Sequence, residues 1–191
     1  PLPSCYSGFN CNYLYFNKYI KGESYPLYCR TTKKTNEIET LIDVNKLANK
    51  DKNYNFESFS INDDETLMSY GFERDGSEKY KFVIVNIQTK EEIIHNIPDL
   101  IHCNYLWYEN YIYYIQGDNK NRSFQLWKYN INTKINKLIF QEDDELFWIS
   151  ASTGECKENR EYIYISSSSS ETDKIYIFKH NQEENIKLFT Q

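Results

Sequence analysis

Apolar and polar residues alternate along this chain in short runs separated by Asn, Asp, Gly, Ser or Lys. "NYLYF" (12–16), "YPLYCR" (25–30) and "EIETLID" (37–43) form a first group. "FESFSI" (56–61), "TLMSYGF" (66–72), "KYKFVIVN" (79–86) and "EEIIHNI" (91–97) form a second. "NYLWY" (104–108), "YIYYIQ" (111–116), "FQLWKYN" (124–130) and "NKLIF" (136–140) form a third, and "LFWISAS" (146–152), "EYIYISS" (161–167), "DKIYIFK" (173–179) and "NIKLF" (185–189) a fourth. A period of two over a few residues, bounded by turn formers, predicts β-strands.

The groups align with one another. "NIQTKEEII" starts at Asn86 and "NINTKINKLI" at Asn130, forty-four residues later, and "KHNQEENIKLF" fills the same slot in the fourth group. Four strands per unit at a period in the forties is the signature of β-propeller blades. A blade cannot bury both of its faces alone, so blades stack around an axis. A sandwich with as many strands does not predict turn chemistry repeated at a fixed interval. The expected fold is all-β, a partial propeller of about four blades at 12–43, 56–97, 104–140 and 146–189. The first blade lacks an inner strand unless "SCYSGF" supplies it. Pro26 fits the first residue of a strand, where a missing N–H costs no ladder bond. "LIDVNKLANKDKNY" reads as an enlarged crossover with a helical turn at Val44–Ala48.

Composition agrees with this picture. Eighteen Tyr and eleven Phe stand beside six Gly and four Pro, a mixture that suits half-buried pleated surfaces. The formal charge of −6 disfavours nucleic acid and anionic membranes, which call for a concentrated basic face. The one short basic cluster, "RTTKK" (30–34), is followed by Glu37 and Glu39. Cys5, Cys11, Cys29, Cys103 and Cys156 are odd in number and form no Cys-x-x-Cys pair, so they read as free thiols. No apolar run is long enough to span a bilayer. "PLPSCYSGFN" reads neither as a secretory signal nor as the natural start of a domain. A cytoplasmic location is the expectation.

A search for chemistry returns little. A Gly-x-Ser-x-Gly elbow needs two glycines four apart, and Gly8, Gly22, Gly71, Gly76, Gly117 and Gly154 provide no such pair. "SSSSS" (166–170) reads as a polar hairpin. No His is followed by Glu, which removes the zincin helix motif, and His95, His102 and His180 read as surface or satisfied side chains. "DKNYNF" (51–56) begins like a calcium loop but has Phe56 where glycine is required. Trp107, Trp127 and Trp148 are expected to pack between blades. No cofactor, metal or catalytic residue is expected.

"NYLYFNKYIKGESYPLYCR", "ETLIDVNKLA", "FQLWKYNINT" and "LIFQEDDELFWIS", in this order and spacing, resemble the N-terminal propeller of the prolyl oligopeptidase family of serine peptidases, and within it the oligopeptidase B branch. The resemblance implies a seven-bladed propeller capping an α/β-hydrolase domain that carries the serine, aspartate and histidine. The propeller would restrict access to peptides, and cleavage would follow Lys or Arg. The sequence holds no hydrolase domain, so the expectation is a fragment, inactive alone, whose partners are that domain and, through it, the peptide substrate. The inner strands (56–61, 104–108, 146–152) would lie nearest the channel. Glu142, Asp143, Asp144 and Glu145 in "QEDDE", and Arg122 in "NKNRSF", become candidates for a channel-facing or interdomain position. The alternative is a free-standing propeller-like interaction module without catalysis. Either way, uncovered end blades expose edges, so self-association and partial disorder at the N-terminal segment are expected.

Overall fold

The computed structural model describes residues 12–32, 37–154 and 159–190 and the backbone of Cys5–Tyr6. Sequence expectations for Cys11, Cys156, the Lys33–Lys34 basic pair and the order of the N-terminal segment fall outside these residues. The described chain forms four four-stranded sheets, each an antiparallel meander in chain order. The first contains β1 (Cys5–Tyr6), β2 (Tyr13–Tyr19), β3 (Pro26–Thr32) and β4 (Ile38–Asp43). The second contains β5 (Asn55–Ile61), β6 (Leu67–Glu73), β7 (Lys79–Asn86) and β8 (Leu100–Ile101). The third contains β9 (Tyr105–Tyr108), β10 (Tyr111–Gly117), β11 (Ser123–Asn130) and β12 (Asn136–Gln141). The fourth contains β13 (Trp148–Thr153), β14 (Tyr162–Ser168), β15 (Asp173–Lys179) and β16 (Lys187–Thr190).

The middle strands explain the stacking. In "KYKFVIVN" the alternating positions Val83 and Val85 join a core with Tyr15, Ile42 and Tyr70, while Phe82 and Ile84 join another with Trp107, Ile112 and Tyr114. In "YIYYIQ", Ile112 and Tyr114 face that second core, and Tyr113 and Ile115 face a third with Ile149, Ile163 and Ile165. Strands buried on both faces read as continuous apolar runs. Three cores between four sheets therefore make a stack of blades, as the sequence predicts.

The crossover after the first sheet contains a five-residue helix, α1 (Val44–Ala48). The Asp43 side chain accepts from the amides of Asn45 and Lys46, and Asn49 closes the helix in the left-handed conformation at φ 48°. Pro26 is the first residue of β3, opposite Tyr19.

One expectation needs correction, and one needs refinement. "EEIIHNI" is not a regular strand: past the bridge of Glu92 to Val85 and the bond from the Ile93 amide to the Ile84 carbonyl, its ladder is interrupted. The His95 ring takes over, with Nε2 donating to the Phe82 carbonyl at 3.1 Å and Nδ1 accepting the Ile97 amide at 3.2 Å. Regular pairing returns at β8, a strand the pattern does not reveal because two residues carry no period. Trp148 does not join the core between the third and fourth sheets: it is half exposed on the opposite face of the fourth sheet.

Candidate functional site: the inner edge of the blades

The second and fourth sheets are not neighbours in the stack, yet they touch. Arg160, just before β14, pairs with Asp63 in the hairpin between β5 and β6. Sheets stacked around an axis meet at their inner edge, so the first strand of each blade and its first hairpin lie there. The remaining contacts agree. The Asp63 carboxylate also accepts the amide of Glu109, in the first hairpin of the third sheet, at 3.4 Å. Two residues on, Glu65 accepts from the Asn12 amide (2.9 Å), the Asn12 side chain (2.9 Å), the Tyr13 amide (3.3 Å) and the Tyr15 hydroxyl (3.0 Å) of the first sheet.

The hairpin "NDDET" is itself tightly built. Asn62 Oδ1 accepts the amides of Thr66 and Leu67 at 3.1 and 2.8 Å. Asp64 accepts the Thr66 hydroxyl and amide, and these bonds outweigh burial and hold its carboxyl below the usual carboxylate range.

The inner strand β5 carries a bulge. Register jumps from Glu57↔Gly71 to Ser60↔Ser69, and Ser58 sits at φ 55°, a conformation that favours glycine. A one-way chain of hydrogen bonds holds it. Trp107 Nε1 donates to Ser69 Oγ at 2.7 Å, Ser69 Oγ donates to the Tyr105 hydroxyl at 2.9 Å, and the Tyr105 hydroxyl donates to the Ser58 carbonyl.

The residues singled out from the sequence lie at the opposite end of the blades, where second hairpins and crossovers meet. Arg122 turns into its own crossover loop: Nη1 donates to the carbonyls of Glu142 (3.3 Å), Asp144 (3.1 Å) and Phe147 (3.0 Å). Its Nε donates to Asp118 Oδ2 at 3.2 Å. Burial alone would raise the Asp118 carboxyl, but the Arg122 and Lys120 amides and the Arg122 side chain outweigh it and lower it. Glu142 is buried, its carboxylate taking the Ser167 hydroxyl at 2.5 Å and the Asp144 amide at 3.1 Å. Asp143, Asp144 and Glu145 are exposed, and Glu145 faces Lys120 at 3.9 Å. The acidic run is thus two things: one buried structural carboxylate and three solvated ones.

The "SSSSS" stretch ends β14 and enters a hairpin in which Ser169 Oγ accepts the amides of Glu171 and Thr172. Sequence reading missed Asp63, Glu65 and Arg160. "NDDET" is nearly as acidic as "QEDDE", but nothing local says that Glu65 is buried or that Arg160 reaches Asp63 from ninety-seven residues away. Among the described residues no group of three or more His, Cys, Asp or Glu is placed to hold a metal ion. No helix of the described residues is long and apolar enough to cross a membrane.

Stacked four-stranded meanders whose first strands converge define the class as a β-propeller. Residues 9–191 match the family model of the prolyl oligopeptidase N-terminal β-propeller domain, and the chain belongs to that family. It is 26% identical over 176 residues to Protease 2 of Moraxella lacunata, covering 86% of this chain and 25% of the relative. It superimposes on oligopeptidase B from Leishmania major with a TM-score of 0.83 at 18% identity, covering 94% of this chain and 26% of that one. Oligopeptidase B from Trypanosoma brucei, in its closed form with covalently bound antipain, matches with a TM-score of 0.77 at 20% identity, covering 99% and 27%. The chain spans about a quarter of the length of these relatives.

Proposed function

We propose that this chain supplies the central blades of the propeller of an oligopeptidase B-like serine peptidase. In that role the blades pack beside an α/β-hydrolase domain, and their inner edge forms part of the wall past which short peptides reach the serine. Cleavage after Lys or Arg is the specificity that the likeness to Protease 2 and oligopeptidase B supports. The observation that carries the reading is the family match across residues 9–191, joined to a fold whose first strands converge on one edge. The chain's six glycines leave no place for a Gly-x-Ser-x-Gly nucleophile elbow. Its part is steric and electrostatic.

The test is to capture the native protein from its source with an antibody raised against this chain. The captured material should cleave Arg- and Lys-containing fluorogenic peptides, spare a folded protein of the same composition, and be silenced by a serine-directed inhibitor. Cleavage confined to post-proline bonds would replace the Lys/Arg assignment. No serine-dependent hydrolysis at all would remove the peptidase reading.

A further inference from the structure

We propose that the Asp63 hairpin is a strap that holds the first hairpins of three successive blades together at one mouth of the channel, and that it is built to release before the blades themselves come apart. The proposal rests on the reading of the inner edge as a channel wall, but not on any peptidase activity.

The same hairpin makes two kinds of contact. Toward the first sheet, Glu65 is 7% exposed and accepts four hydrogen bonds, two of them from backbone amides. A carboxylate buried with that many donors is held firmly, because losing any donor leaves a desolvated charge short of a partner. Toward the third and fourth sheets, Asp63 makes one long bond to the Glu109 amide and one ion pair to Arg160. The side chains of that pair are 37% and 35% exposed, so water and salt compete for both charges. One arm of the hairpin is an anchor and the other a catch.

The location makes the difference matter. The catch touches the third blade through the one long bond to the Glu109 amide, and its ion pair reaches past that blade to join the second to the fourth across the mouth. Neighbouring blades remain joined by their apolar cores whether or not it is closed. Among the described residues Arg160 pairs with no other carboxylate, while Glu161 beside it is taken by Lys179 at 2.8 Å. Release therefore frees the start of β14 and the β9–β10 turn and leaves the blade cores intact. Local opening of this kind draws on exposed, sparsely packed contacts.

Amide hydrogen exchange on the full-length protein that contains these blades tests the strap without any peptide. In Asp63→Ala, amides at 108–111 and 159–163 should exchange about two- to fivefold faster, the range an exposed pair can impose. Those of β7 and β11 should be unchanged. Arg160→Gln, which removes only the fourth-sheet arm, should accelerate 159–163 and spare 108–111. In 1 M NaCl the wild-type protein should follow Arg160→Gln, while the Asn12 and Tyr13 amides held by Glu65 stay protected. The proposal is overturned if 159–163 exchanges equally in wild type and Arg160→Gln. It is also overturned if salt frees Asn12 and Tyr13 together with 159–163. Should Asp63→Ala deprotect β7 as well, that variant reports a damaged blade, and Arg160→Gln alone decides.

Discussion

His180 occupies in the fourth blade the place that Ile87 occupies in the second. The Ile87 amide donates to the Thr66 carbonyl at 2.9 Å, and the His180 amide donates to the Glu161 carbonyl at 2.8 Å. Ile131 does the same in the third blade, to Asn110 at 3.0 Å. An imidazole thus fills an apolar slot of the repeat. It lies against the rings of Tyr108, Tyr111 and Tyr113, and Nδ1 is 2.7 Å from the Tyr113 hydroxyl. Nε2 is buried with no hydrogen-bond partner among the described residues.

That placement sets a pH dependence. Burial, reinforced by the Lys128 ammonium and opposed by Glu183, lowers the His180 pKa to about 4. The unfolded chain then binds a proton that the folded chain refuses, so stability is full above the ordinary histidine range and falls as pH drops from about 6.5 to 4. The loss is on the order of 2–3 kcal/mol. Urea melts of wild type at pH 7.5, 5.5 and 4.5 should shift steadily, and His180→Ile should flatten most of that slope. His95, also lowered by burial, keeps the remainder. Glu183 and Glu39 are held below the usual carboxylate range, so their contributions vanish only in a more acidic window.

The chain from Trp107 through Ser69 and Tyr105 to the Ser58 carbonyl predicts that Tyr105→Phe costs about 1–3 kcal/mol, since it strands an acceptor and a buried hydroxyl. Chemical denaturation should read the loss, and indole fluorescence should report a changed setting for Trp107.

A β-carbon added at Gly71 would stand 2.2 Å from Cys103 Sγ and 3.2 Å from the β-carbons of Cys103 and Tyr80. Gly71→Ala should therefore destabilise by about 1–3 kcal/mol through overpacking. Adding Cys103→Ala, which removes the clashing sulfur, should recover part of it. An additive double mutant would mean that the two residues do not share the space.

Arg122→Lys should cost about 1–3 kcal/mol although charge is kept, because a lysine cannot reach three carbonyls and Asp118 with one planar group. Thermal melts of the Lys and Ala variants should nearly coincide. A Lys variant as stable as wild type would show that the guanidinium geometry is not what holds the crossover.

The repeat was legible because its turn chemistry is local. Asn86 Oδ1 accepts the amides of Gln88 and Thr89 at 2.9 and 3.0 Å, and Asn130 accepts those of Asn132 and Thr133 at the same two distances. Lys90 and Lys134 both adopt positive φ, 64° and 59°. Identical side-chain capping of identical turns is what the matching "NIQTK" and "NINTK" encode. The fourth copy keeps the position but not the chemistry, and ends in a short 3₁₀ turn at Glu183–Asn185. The inner-edge contacts were not legible. Asp63 meets Arg160, and Glu65 meets Tyr15, only once blades stack, and sequence spacing carries no trace of that. For Trp148, strand alternation gives its face but not which neighbour covers that face.

Blades that serve within a larger peptidase belong to a protein several times their own mass. The direct measurement is the size of the endogenous protein, by blotting source lysate with an antibody against this chain. A band several times the 23.0 kDa of the chain is the predicted result. A single band at 23.0 kDa would remove the peptidase role and leave a free-standing set of blades whose partner must be sought elsewhere.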